Sequence, residues 1–304
     1  MKQNILVESE SVVSFEVKAD SDNLEQFLKR EYDVSSRLIK KMVRERSIFL
    51  NGEKVRRNVS VKKGDTVSLL MDDEDDNNLP EPEIELDIIY EDIDLVVLNK
   101  RPFTVVHTTQ GHPIGTIANG LAYYFLENKI KKKIRFINRL DRDTSGVLLV
   151  GKNSFAHQQI SKQFKDNTVE KTYLTVVDGV VGEDKATIDL PIERESEDSI
   201  MRIVREDGKR AVTHYEVVER YKDATLLKVR LETGRTHQIR VHLKHIGHPI
   251  IGDSLYFKES PDIDRQALHS YAMKLRLPRD KSEIELRAEL PYDILNLIEK
   301  LKKA

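Results

Sequence analysis

"NRLDRDTSGVLLVGK", residues 138–152, crowds two carboxylates and two arginines into a few positions and then runs into apolar sequence. The stretch "GVLLVGK" (146–152), a short apolar run bounded by polar residues, reads as a buried strand. The polar half before it reads as a turn. Asp-rich turns are common and carboxylate–arginine pairs are mostly structural, so a capped, salt-bridged turn is one reading. In the other, the strand's edge holds a carboxylate toward a cleft, while Thr144, Ser145 and Gly146 supply hydrogen bonds and a tight backbone. Arg139 and Arg142 would compete with a cation at Asp141 and Asp143, which argues against a metal site. Two carboxylates two residues apart on a turn do not straddle a sugar, which argues against a retaining glycosidase.

Outward from this stretch, strands and helices alternate irregularly. "DLVVLNK" (94–100) reads as a second buried strand, and "NSFAHQQISKQFKDN" as a helix capped by Asn153 with Phe155, Ile160 and Phe164 on its apolar side. "VEKTYLTVV" and "ATLLKVRL" alternate like half-buried strands, the second with Thr225, Leu227, Val229 and Leu231 on one face. In "TGRTHQIRVHLKHIGHP" a helix is expected from near Thr236, with Ile239, Leu243 and Ile246 on one stripe and a stop at Gly247. The order is too irregular for a doubly wound sheet. It predicts an α+β domain with a mixed, largely antiparallel sheet and flanking helices.

Composition narrows the function classes. The chain has 304 residues, 39% of them hydrophobic, enough for a larger domain plus a smaller one. It has no cysteine, which excludes a disulfide framework, a zinc ribbon and a thiol nucleophile. No run approaches the roughly eighteen apolar residues of a membrane span, and the N-terminus lacks a signal-peptide pattern; a cytoplasmic protein without a membrane partner is expected.

The net charge of −2 conceals an asymmetry. Residues 29–63 carry 12 Lys or Arg against 4 Asp or Glu, whereas residues 72–87 carry 9 acidic residues and no basic one. An acidic, Pro-containing run without aromatic residues suggests a linker, here residues 76–84, between a domain at 1–75 and another at 85–304. Charge repulsion would keep such a linker extended and let the two domains grip separate parts of a substrate. In the first domain Leu24, Phe27 and Leu28 follow a capping candidate at Asp22, and Leu38, Ile39, Met42 and Val43 follow Ser35 or Ser36, so two short helices are expected. A hairpin is expected at Asn51-Gly52 and a turn at Gly64-Asp65. Arg37, Lys40, Lys41 and Arg44 fall mostly outside the apolar stripe of the second helix, either as a solvated face or as a footprint for nucleic-acid phosphates. The succession "SSRLIKKMVRERSIFLNGEKVRRNVSVKKGDTVSL" resembles the S4-type RNA-binding domain over about fifty residues.

Four of the nine histidines, His237, His242, His245 and His248, fall within twelve residues. No Cys, Asp or Glu accompanies them at ligand spacing, so contacts to RNA or to the fold are expected rather than a metal. Together "RLDRDTSGVLLVGK", "EKTYLTVVDG", "KRAVTHYEVVE", "LLKVRLETGRTHQIRVHLKHIGHPIIGDSLY" and "RQALHSYAMKL" resemble the RluA-type pseudouridine synthases from about residue 84 onward. An S4-type domain in front is the layout of the branch acting on large-subunit ribosomal RNA. The resemblance implies Asp141 as the catalytic aspartate, Tyr173 as the active-site tyrosine and Arg240 as the arginine pairing with the aspartate. It further implies Arg139 as the residue that fills the gap left by a flipped base, with Arg235 and His237 also toward RNA. No metal or other cofactor is implied, and a monomer is expected. One departure is Asn138, where the family usually has His; Asn cannot become cationic. Two alternatives stay open: a synthase acting on transfer RNA, and a non-catalytic RNA-binding or ribosome-assembly protein.

Overall fold

The computed structural model describes residues 6–71, 76–109 and 111–304. The N-terminal unit comprises β1 (Val12–Glu16), α1 (Leu24–Tyr32), α2 (Ser36–Arg44), β2 (Ile48–Leu50), β3 (Glu53–Lys54) and β4 (Thr66–Leu70). Both helices start at side-chain caps, α1 at Asn23, one residue beyond the expected position, and α2 at Ser35. Their buried residues are those of the apolar stripes, Leu24, Phe27 and Leu28, then Leu38, Ile39 and Met42. Asn51 and Gly52 both have positive φ, 51° and 86°, the pair of left-handed residues that a two-residue hairpin requires between β2 and β3. The strands form an antiparallel sheet in the order β1-β4-β2-β3.

The second unit opens with β5 (Ile88–Glu91), β6 (Leu95–Lys100), α3 (Ile117–Glu127), β7 (Arg135–Phe136), β8 (Ser145–Gly151) and α4 (Ser154–Lys165). It continues with β9 (Glu170–Asp178), β10 (Lys185–Asp189), β11 (Ile192–Arg194), β12 (Arg202–Val204), β13 (Val212–Arg220) and β14 (Ala224–Leu231). Last come α5 (Gln238–His245), β15 (Leu268–Arg276), β16 (Glu283–Arg287) and α6 (Tyr292–Lys303). Ten strands form one sheet along β10-β13-β14-β9-β15-β8-β6-β5, with β16 beside β15 and β7 beside β8. The fold is thus α+β with a mixed sheet. Among the described strands only β15 and β8 pair in parallel; the others are antiparallel.

The apolar run after the Asp141 turn lies in β8, buried at every position. Val147 and Leu149 pack with Ala156 and Ile160 of α4, while Leu148 and Val150 pack with Ile117, Leu121 and Phe125 of α3. Helices on both faces explain a strand with no polar alternation. At the parallel junction Gly146 has φ 112°, and a Cβ there would collide with the Ser270 backbone. Only glycine lets β8 and β15 approach at the point where the preceding turn leaves the sheet.

The segment expected as an extended linker is docked over its described part; residues 72–75 lie outside the described residues. The Asp76 carboxylate accepts from Ile134 N at 2.8 Å, Glu81 accepts from Gly115 N at 2.7 Å, and the Leu79 carbonyl accepts from Asn119 of α3. Ile84 lies against Gly120 so closely that a Cβ there would meet it at 2.7 Å. Acidic side chains that looked repulsive in sequence serve as acceptors for loop N–H groups, and this overrides the expectation of an extended chain.

Candidate active site

The turn before β8 is clamped from behind. The Lys100 side chain is buried at the end of β6, and its ammonium donates to the carbonyls of Arg101 and Arg142, both at 2.8 Å. Burial pulls its pKa down to about 7, against the opposing pull of Asp143. Arg265, fully buried, donates from Nη1 to the Asp143 carbonyl at 3.0 Å and holds Asp293 with Nε and Nη2 at 2.6 and 2.9 Å. Ser145 bonds His269 Nδ1 at 2.9 Å, and His269 Nε2 meets the Ala288 carbonyl at 2.9 Å; burial pushes this imidazole down to about 4. The four charges of the opening stretch therefore divide. Arg142 grips its neighbour Asp143 through two hydrogen bonds, at 2.7 and 3.1 Å, as a salt-bridged turn. Asp141 is left facing a cleft.

Across that cleft lies α5. Its first turn follows His237, which adopts the left-handed region (φ 58°). Gln238 pins the turn, accepting from Thr233 and Arg235 N and donating to Val212 and Thr213. Arg240 then points at Asp141, Nη1 to Oδ2 at 3.4 Å, but its tighter partner is the buried Asp253, held by Nε and Nη2 at 2.7 Å each. The guanidinium also stacks over the Tyr256 ring at 4.8 Å. Burial works against its charge, but the hydrogen bonds and carboxylates of Asp253, aided by Asp141, hold it above the ordinary guanidinium value. His237 Nε2 lies 3.7 Å from Asp141 Oδ2, and its Nδ1 bonds Tyr256 at 2.8 Å. Burial lowers this histidine's pKa, with Asp141 pulling the other way.

Tyr173 stands on β9 between Val229 of β14 and Ser270 of β15. Desolvation raises its phenol to about 12. Arg139, Asp141, Tyr173, Arg235, His237 and Arg240 all line one cavity of about 130 Å³. A carboxylate, a neutral phenol and a fixed guanidinium around one small cavity suit acid–base work on a flat ring and the sugar attached to it.

The model of the RNA pseudouridylate synthase family matches residues 94–245, from β6 to the end of α5. "Uncharacterized RNA pseudouridine synthase YlyB" of Bacillus subtilis (strain 168) is 39% identical over 288 residues, 93% of this chain and 95% of that relative. The chain belongs to the RNA pseudouridylate synthase family. The synthase is also 36% identical to "Ribosomal large subunit pseudouridine synthase D" of Yersinia pestis, over 89% of this chain and 87% of that protein. Among solved structures, Human RNA Pseudouridylate Synthase Domain Containing 1 matches with TM-score 0.58 at 26% identity, covering 74% of this chain and 98% of that one. The synthase is accordingly an RNA uridine isomerase, and no helix among its described residues is long and apolar enough to cross a membrane.

Of the residues singled out in sequence, six meet at the cavity; Arg37, Lys40, Lys41 and Arg44 line a different cleft. The neighbouring histidines diverge. His242 is buried between Thr213 and the Leu190 carbonyl, and His248 bonds the Asp178 carbonyl, so both serve the fold. Asn138 uses its amide on the β8 backbone, donating to Val147 O at 3.1 Å and accepting from Leu149 N at 2.8 Å. A strand-pairing amide rather than a cation is what that position supplies in the synthase. Sequence reading missed Asp253, Tyr256, Lys100 and Arg265. The only sign of the first two was the polar "GDSLY" after an apolar pair; Lys100 merely ended an apolar strand.

Proposed function

We propose that the synthase isomerises uridines of large-subunit ribosomal RNA, with Asp141 acting on the ribose of a flipped nucleotide. The observation that carries this reading is Asp141 Oδ2 facing Arg240 Nη1 at 3.4 Å beside Tyr173. In the reaction the bond from base nitrogen to ribose carbon 1′ breaks, the uracil turns, and carbon 5 of the base bonds to carbon 1′; the proton that carbon 5 loses is balanced by one gained at the freed nitrogen. Asp141 either attacks carbon 1′, its bond there breaking as carbon 5 bonds in its place, or takes a proton from carbon 2′ and returns it when carbon 5 bonds to carbon 1′. Arg240, oriented by Asp253, pairs with that carboxylate. Tyr173 presents its ring to the uracil, and its hydroxyl can relay the proton that leaves carbon 5, passing its own proton on as it takes that one up. The target must leave its stack to reach a cavity this small, and the exposed Arg139 at the rim has the length to fill the gap. Arg235 and His237 face the adjoining nucleotides.

The choice of ribosomal RNA is supported by the relatives named for the ribosomal large subunit and by the S4-like order of the basic N-terminal unit. The test is to map pseudouridines in ribosomal and transfer RNA from cells with and without this protein. Loss of one or more large-subunit sites is expected. Loss confined to transfer RNA would overturn the substrate assignment.

A further inference from the structure

A second cleft, of about 1350 Å³, runs between α2 of the N-terminal unit and α4 of the catalytic unit. On one wall Arg37, Lys40, Lys41 and Arg44 share the face of α2 opposite its buried stripe. On the other stand Lys162 and Lys165 of α4, with Lys133 and Arg135 from the chain around β7. Among the described residues the acidic ones lining the cleft are Asp33 and Asp166, and Lys162 holds both, at 3.0 and 3.6 Å, while Arg44 has Glu45 at 3.5 Å. Arg37, Lys40, Lys41 and Lys165 have no carboxylate within ion-pairing distance among the described residues.

The walls are joined at the floor. Gln158 of α4 accepts from Ser35 N and donates to the Asp33 carbonyl, both at 3.1 Å, and Gln159 donates to the Tyr32 carbonyl at 2.9 Å. Phe155 of α4 is fully buried within the N-terminal unit's own core, its ring 5.5 Å from that of Phe15. Separating the units would expose this ring, so the cleft has a set width.

We infer that α2 and α4 form one receptor for RNA phosphodiesters, with the catalytic unit supplying half of it. The inference rests on the RNA-binding reading of the N-terminal unit and extends it to residues on α4 and β7. Among the described residues Leu38 is the one apolar side chain lining the cleft, whereas a protein partner would need a buried apolar centre. Arg37, Lys40 and Lys41 on one side of an open groove and Lys165 on the other, without carboxylate partners among the described residues, match a phosphate backbone, whose capture releases counterions.

The test uses full-length protein and a fluorescently labelled RNA hairpin, with affinity measured against salt. Two double variants are compared: Lys40→Ala with Lys41→Ala on α2, and Lys133→Ala with Lys165→Ala on the opposite wall. Each pair should weaken binding several-fold and lower the slope of log affinity against log salt by about 0.7–0.9 for every phosphate contact removed. Thermal melting should stay unchanged, because these side chains hold nothing in place. Wild-type affinity and slope in the Lys133/Lys165 pair, with a loss in the Lys40/Lys41 pair, would overturn the two-walled receptor while leaving the N-terminal unit's RNA-binding reading intact. Wild-type binding in both pairs would overturn both. Equal displacement of the hairpin by poly-glutamate would overturn the assignment to RNA in favour of an acidic polypeptide.

Discussion

The cations around Asp141 and the cations of α2 are handled in opposite ways. Arg240 is locked on Asp253, Arg265 on Asp293, and Lys100 on two carbonyls, and all three are buried. Arg37 and Lys40 stand exposed without a carboxylate partner among the described residues. A site of chemistry needs its charges fixed before substrate arrives, because reorganisation at the moment of reaction adds to the barrier. A surface for a polyanion needs its charges open, since an internal partner would compete with each phosphate.

The sharpest way to break this contrast is Asp141→Asn, which should abolish pseudouridine formation and leave RNA affinity near wild type. Turnover retained by the purified variant would remove Asp141 from the mechanism. Arg240→Leu should be severely impaired and also lose about 3–5 kcal/mol of stability, because it strands the buried Asp253. Denaturant melts of Arg240→Leu with Asp253→Leu together should show most of that stability restored without turnover; stability unchanged in the single variant would refute the locking role. Tyr173→Phe should bind normally while a step after base detachment slows by roughly 10²-fold. Unaltered single-turnover kinetics would assign the tyrosine to packing alone.

A smaller effect concerns acid. His269 titrates near 4 in the fold against 6.5 ordinarily, so between those values the unfolded chain binds more protons. Stability is therefore full above about pH 6.5 and falls as pH drops toward 4, by on the order of 3 kcal/mol. His269→Gln, which can still bond Ser145 and Ala288, should flatten that dependence; identical acid profiles would dismiss it. The smallest change is Asn138→Ala, expected to cost about 1 kcal/mol for each lost strand bond, read by thermal melting, with turnover nearly unchanged.

Much of this was legible in sequence where the determinants are local. Ser35 and Asn153 cap the helices expected of them, and the Asn51-Gly52 hairpin is present. The run 146–152, read as a buried strand, is covered by helices on both faces along β8. What escaped depends on partners distant in the chain or hidden by composition. Beyond the polar run that contains it, nothing near Asp253 announces that it orients Arg240, because the pair closes only when the loop after α5 folds back. The acidic stretch looked like a tether because charge counts do not reveal that Asp76 and Glu81 would meet N–H groups at Ile134 and Gly115.

Phe155 completes the core of a unit whose other buried residues end at Met71. During synthesis the N-terminal unit therefore leaves the ribosome with a hole in its interior, and it waits some eighty residues for the ring that fills it. Domains that fold in order from the N-terminus can be cut apart and shuffled between proteins; this pair is stitched across that order. A transplanted N-terminal unit would need a substitute for one phenylalanine that its own stretch of the gene does not encode.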